Sequence, residues 1–194
     1  SSVWESEKTA LGVRRIIASR ACDELLPGAI ANLGIGIPEG VGLIAAERQI
    51  LDQITLTVES GPIGGIPAGG LSFGASAWPE AIIDQPAQFD FYDGGGLDYA
   101  ALGAAQVDQY GNVNVSKFNG RIAGVGGFVN IAQSASRLVF CCTLRAGELE
   151  VTVRDGALRI VREGIHAKFV PRVQQVCFHG PTALARGQEV LYVT

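Results

Sequence analysis

Residues 29–58 read AIANLGIGIPEGVGLIAAERQILDQITLTV, and the fold is decided there. Residues 29–33 form a short apolar run, and residues 54–58 are rich in β-branched Ile, Thr and Val; both read as buried strands. Between them, Gly34-Ile35-Gly36-Ile37-Pro38 makes a tight turn. Pro38 suits the first turn of a helix that continues through Val41, Leu43, Ile44 and Ala45. Strand, helix and strand in succession predict a parallel α/β unit.

Working outward, residues 6–26 space apolar side chains along one helical face, and Pro27-Gly28 ends that helix. Downstream, the pattern predicts a short helix over 79–83 and a strand over 88–92. A strand is expected over 138–142 and a hairpin at 149–154 and 157–162, turning at Asp155-Gly156. Late strands at 170–178 and 190–193 flank a short helix at 181–186. Glycine-rich turns stand at 93–98 and 120–127. With no repeat or linker, residues 1–194 are expected to form a single α/β domain.

Composition narrows the function. Glycine makes up 26 of 194 residues, about 13% against a usual share of roughly 7%; without a three-residue period this signals tight loops. A formal net charge of −4 with no basic block argues against nucleic-acid or anionic-membrane partners. His166 and His179 stand alone, so no metal site is expected. Cys22, Cys141, Cys142 and Cys177 lack Cys-x-x-Cys spacing and read as buried thiols of a cytoplasmic protein. No apolar run approaches a membrane span and no signal-peptide pattern opens the chain. The sequence contains no methionine, and its last expected strand runs almost to Thr194. A longer polypeptide is therefore expected.

In open α/β sheets, ligands sit beyond the carboxyl ends of the strands. Strand 54–58 delivers Glu59 there, a candidate nucleophile or base, or else a helix cap or an arginine partner at the rim. Strand 29–33 carries Asn32 and delivers Gly34 and Gly36. The spacing Gly34, Gly36, Gly40 is one residue too long for a dinucleotide fingerprint, which disfavours a nicotinamide or flavin site. Gly124-Val125-Gly126-Gly127 offers backbone N–H groups to an oxyanion, or is a plain turn; Lys117 and Arg121 just before it could face a phosphate. Asn112 and Asn114 fit a surface hairpin. Ser60 lacks a G-x-S-x-G setting, and Cys177, near His179, reads as core.

Taken together, these motifs resemble the catalytic half of the class I coenzyme A transferases. The resemblance is carried by Asn32-Leu33-Gly34-Ile35-Gly36-Ile37-Pro38, Val58-Glu59-Ser60-Gly61, Ile63-Gly64-Gly65-Ile66-Pro67, Gly95-Gly96-Leu97-Asp98, Leu102-Gly103-Ala104-Ala105-Gln106-Val107-Asp108 and Gly124-Val125-Gly126-Gly127. It covers roughly residues 14–194 and is greatest toward the acetate/propionate type.

The resemblance implies an open, mostly parallel, Rossmann-like sheet flanked by helices, with added β-hairpins. It assigns Glu59 as the catalytic glutamate, Gly126 and Gly127 as the oxyanion backbone, and Asn32 and Gly34 as substrate-binding. The implied reaction moves coenzyme A between an acyl-CoA and a short-chain carboxylic acid through a glutamyl-CoA thioester. CoA is a cosubstrate, with no tightly bound cofactor. Apolar loops around Ile63, Ile66 and Pro67 would exclude water. The implied partners are an amino-terminal CoA-binding half or a partner subunit, within a homo-oligomer. From a different class, a non-catalytic metabolite-binding sensor on a related scaffold is the alternative.

Overall fold

The run of buried residues in β1 (Ile30–Leu33) sets it at the middle of the main sheet, where both of its edges are paired. The other strands of that sheet are β2 (Thr55–Thr57), β3 (Pro62–Ile63), β4 (Ala81–Ile82), β5 (Tyr99–Gly103), β6 (Arg137–Cys141) and β7 (Glu189–Val193). Their order is β7-β6-β5-β1-β2-β3-β4; the first five run parallel, and the last two pairings are antiparallel. This computed structural model describes residues 12–69, 72–118 and 120–194. The expected helical residues 6–11 lie outside them.

Both faces of the sheet are covered, and the two-residue period of the strands decides what each face buries. Ala31, Leu33, Tyr99, Ala101, Val139 and Cys141 point toward α1 (Val13–Cys22) and α2 (Glu39–Glu47), where Ile17, Ala21, Ile44 and Ala45 meet them. The Tyr99 hydroxyl donates to Ala21 O at 2.8 Å, pinning α1 to the sheet. Ala100, Leu102, Leu138 and Phe140 point the other way, toward α3 (Gln85–Phe91), α4 (Phe128–Ser134) and α5 (Gly180–Ala185). There Phe140 stacks on Tyr192 with ring centroids 5.5 Å apart and meets Phe178 edge-on at 5.2 Å. Each such buried ring contributes roughly 1.5–3 kcal/mol.

The open, mostly parallel α/β fold is the one expected, and so is the hairpin of Glu150–Arg154 with Ala157–Arg162 around Asp155-Gly156. Several local readings are corrected. Residues 85–91 are a helix where a strand over 88–92 was expected, because Asp84 caps its amino end, accepting from Ala87 N at 3.0 Å, with Pro86 in the first turn. The alternation of Phe89, Phe91 and polar neighbours imitated a strand, whereas Gln88 and Tyr92, four apart, bury one helical face. Residues 81–82, expected as helix, form β4. The 170–178 segment is strand only at Phe169–Val170. Asn112 and Asn114 are buried, not exposed, because Asp108 Oδ2 at 3.1 Å and Gln106 Oε1 at 2.8 Å accept from their amides. Cys177 is half-buried against Ser116 Oγ at 3.1 Å.

Candidate active site

Strand order creates the site. β1 passes through α2 to β2 on one side, while β5, its parallel neighbour on the other side, leads on to α4 and β6. The chain leaves the carboxyl ends of β1 and β5 in opposite directions, opening the crevice expected at a topological switch point. A cavity of about 890 Å³ lies there. Its walls come from Asn32, Gly34 and Ile35 at the end of β1, Leu102 to Gln106 at the end of β5, and the 123–128 loop entering α4.

Glu59 follows β2 by two residues and its side chain lines this cavity, half-buried. No ion pair or hydrogen bond reaches its carboxylate among the described residues. Burial raises its pKa above the ordinary carboxylate value. The rim-arginine and helix-cap alternatives are thus not what the geometry shows. The carboxylate instead packs on the α-carbon of Gly127: a methyl there would collide with Glu59 Oε2 and lie 2.8 Å from Phe89 Cζ. The N–H groups of Gly126 and Gly127 have no acceptor among the described residues, and both residues line the cavity.

The structure brings Glu59, Gly126, Gly127, Asn32 and Gly34 to one cavity. Lys117 is exposed and absent from the lining, and the Arg121 side chain lies outside the described residues. Ile63 and Ile66 do not line the cavity; Phe73, further along the same stretch, does. Two groups escaped the sequence reading. Lys168 lines the far wall, its ammonium donating to Ala104 O at 2.9 Å, and burial lowers its pKa. Beneath the cavity floor, Thr57, Gln88 and Tyr92 form a buried polar cluster with Asn32, the one member singled out in the sequence. Among the described residues no helix is long and apolar enough to cross a membrane.

A poorly solvated carboxylate costs folding stability. Its native pKa is raised, so between the ordinary and the raised value the native state binds more proton than the unfolded chain, and stability falls as pH rises through that window. Glu59→Gln removes the penalty. Its Tm is expected to exceed the wild-type Tm at about pH 8, with the gain shrinking to nothing near about pH 4; thermal melts across pH measure this.

The α/β switch-point cavity thus holds an unpaired carboxylate against glycine backbone. No protein-family model matches the chain. It is 48% identical over 184 residues to the acetate CoA-transferase YdiF of Escherichia coli K12, covering 95% of this chain and 35% of that protein. It is 47% identical over 186 residues to the caffeate CoA-transferase of Acetobacterium woodii, covering 93% and 35%. The solved acyl-CoA transferase YdiF from E. coli O157:H7, a thioester complex with CoA, superposes with a TM-score of 0.89 at 46% identity, over 96% of this chain and 35% of that one. The chain is thus similar to coenzyme A transferases along nearly its whole length. It spans about a third of the length of these relatives.

Proposed function

We propose that this chain carries the nucleophile of an enzyme that transfers coenzyme A between an acyl-CoA and a short-chain carboxylic acid of the acetate/propionate type. One observation supports the reading above all: the unpaired, half-buried Glu59 carboxylate packs on Gly127 inside the switch-point cavity. An ionised carboxylate needs no base to attack, but it is a weak nucleophile toward a thioester. Burial makes it more basic, and packing fixes its direction.

In the proposed sequence, a Glu59 oxygen attacks the acyl-CoA carbonyl, and the tetrahedral intermediate expels CoA thiolate, leaving a mixed anhydride. The thiolate attacks Glu59 Cδ and releases the first acid as its carboxylate; Glu59 is then a thioester of CoA. A second carboxylate attacks that thioester, and the same steps in reverse produce the new acyl-CoA and free Glu59. Each tetrahedral oxyanion would take the N–H groups of Gly126 and Gly127, a device typically worth about 10²–10³ in rate per donor. Asn32 and Gly34 would contact the thioester substrate. CoA acts as cosubstrate, and no tightly bound cofactor or metal takes part.

The cavity opens beyond this chain's own loops, and the chain covers a third of its relatives' length. We infer that an amino-terminal half or a partner subunit completes the CoA site, within a cytoplasmic homo-oligomer. The acetate relative favours a small acid, and the caffeate relative, nearly as similar, makes an aromatic acid the acceptor to compare. Incubation of the complete polypeptide carrying this chain with acetyl-CoA and labelled propionate should move label into propionyl-CoA, with parallel double-reciprocal plots. Saturable ligand binding without exchange would favour the sensor alternative instead.

A further inference from the structure

The buried cluster under Glu59 has a direction. Ala31 O can only accept, and Thr57 Oγ1 donates to it at 3.0 Å. With that proton committed, Thr57 Oγ1 accepts from the Tyr92 hydroxyl at 2.8 Å. The Tyr92 oxygen, its own proton spent, then accepts from two amides: Asn32 Nδ2 at 3.2 Å and Gln88 Nε2 at 3.0 Å. Backbone carbonyls fix both amides in the same sense, Thr57 O taking Asn32 Nδ2 at 3.4 Å and Val58 O taking Gln88 Nε2 at 3.3 Å. Tyr92 and Gln88 are fully buried, and Thr57 and Asn32 are 3% and 4% exposed.

Two consequences follow at the ends of the relay. Gln88 Oε1 is buried with no partner; turning the amide would set it against the Val58 carbonyl, so the cluster keeps its direction at the cost of one orphaned acceptor. Asn32 ends at the cavity wall, with Nδ2 tied inward and Oδ1 bonded to no described residue. Asn32 therefore offers the cavity an acceptor. An acceptor cannot stabilise an oxyanion, but it suits an N–H. In an acyl-CoA the N–H nearest the thioester is the amide two carbons from sulfur.

We propose that Tyr92 is a positioning residue that holds the Asn32 carbonyl oxygen toward the cavity, where it accepts from the amide N–H of the substrate's cysteamine arm. This rests on the transferase reading above. Burial keeps the Tyr92 phenol protonated well past neutral pH, as the relay requires.

The test uses the complete polypeptide, with acetyl-CoA, S-acetyl-N-acetylcysteamine, which keeps the amide, and S-propyl thioacetate, which has none. Tyr92→Phe should lower kcat/KM about tenfold, the worth of one hydrogen bond, with the two amide-bearing thioesters and leave it unchanged with the third. Thr57→Val, which breaks the relay one link earlier, should do the same, and Tyr92→Phe should cost nothing further in an Asn32→Ala background. Equal losses on all three thioesters, no loss on any, or additive losses with Asn32→Ala would overturn the inference. If wild-type protein forms a CoA adduct on Glu59 while the amide dependence is missing, this inference alone fails. If no adduct forms, the transferase reading falls and takes the inference with it.

Discussion

Glu59→Gln is expected to lower acyl exchange roughly 10⁴-fold or more, with the KM for acyl-CoA nearly unchanged. Glutamine keeps the shape and the contact with Gly127 but has no oxygen able to form the anhydride or the thioester. Since no described side chain pairs with Glu59, the substitution strands no ion-pair partner, and the loss reports on chemistry rather than folding. Glu59→Asp provides a finer test. Shortening the side chain by one methylene withdraws the carboxylate from Gly127, and displacement of a reacting atom by about 1 Å can cost about 10²-fold. Retention of full exchange by Glu59→Gln would remove Glu59 from the mechanism, and retention by Glu59→Asp would remove the positioning by Gly127.

Gly127→Ala should lower exchange by roughly 10²–10³-fold while the domain stays folded. The added methyl would occupy the position of Glu59 Oε2 and press on Phe89 Cζ at 2.8 Å, so the carboxylate must swing away from the loop whose N–H groups serve the oxyanion. The effect should fall on kcat more than on KM, because the ground-state thioester does not yet carry the charge those groups stabilise. Gly94→Ala is the matching control: nothing lies within 4 Å of its added methyl, and exchange should stay at the wild-type level. Circular dichroism and melting curves confirm that both variants fold.

The parallel unit from β1 to β2 was legible because two apolar runs bracket a Gly-Pro turn and an apolar helix, and little else fits that pattern. The cavity position of Glu59 was legible for a related reason: a strand that ends in a carboxylate followed by glycines marks the open edge of such a sheet, whereas the 124–127 loop read from its residues as no more than a glycine turn and gained its place only through the resemblance. The support beneath the site was not legible. Gln88 and Tyr92 were read on a strand, where alternate residues share a face and the two would still fall together, but against the wrong partners. The signal that resolves this was present in Asp84 and Pro86, a cap and a first-turn proline that start a helix at Gln85. Lys168 gave no local signal, since its place at the cavity depends on the chain returning from beyond the 149–162 hairpin to lie beside Gln106–Asp108. Asn112 and Asn114 looked like turn residues because their buried acceptors, Asp108 and Gln106, belong to the facing strand.

Intact-protein and peptide mass spectrometry after mixing the complete polypeptide with acyl-CoA tests the central claim most directly. The account predicts that the chain gains the mass of CoA less water, that the gain maps to the peptide containing Glu59, and that borohydride discharges it by reducing the glutamyl thioester. An unmodified Glu59 peptide under turnover, or the same mass gain in the Glu59→Gln protein, would contradict it.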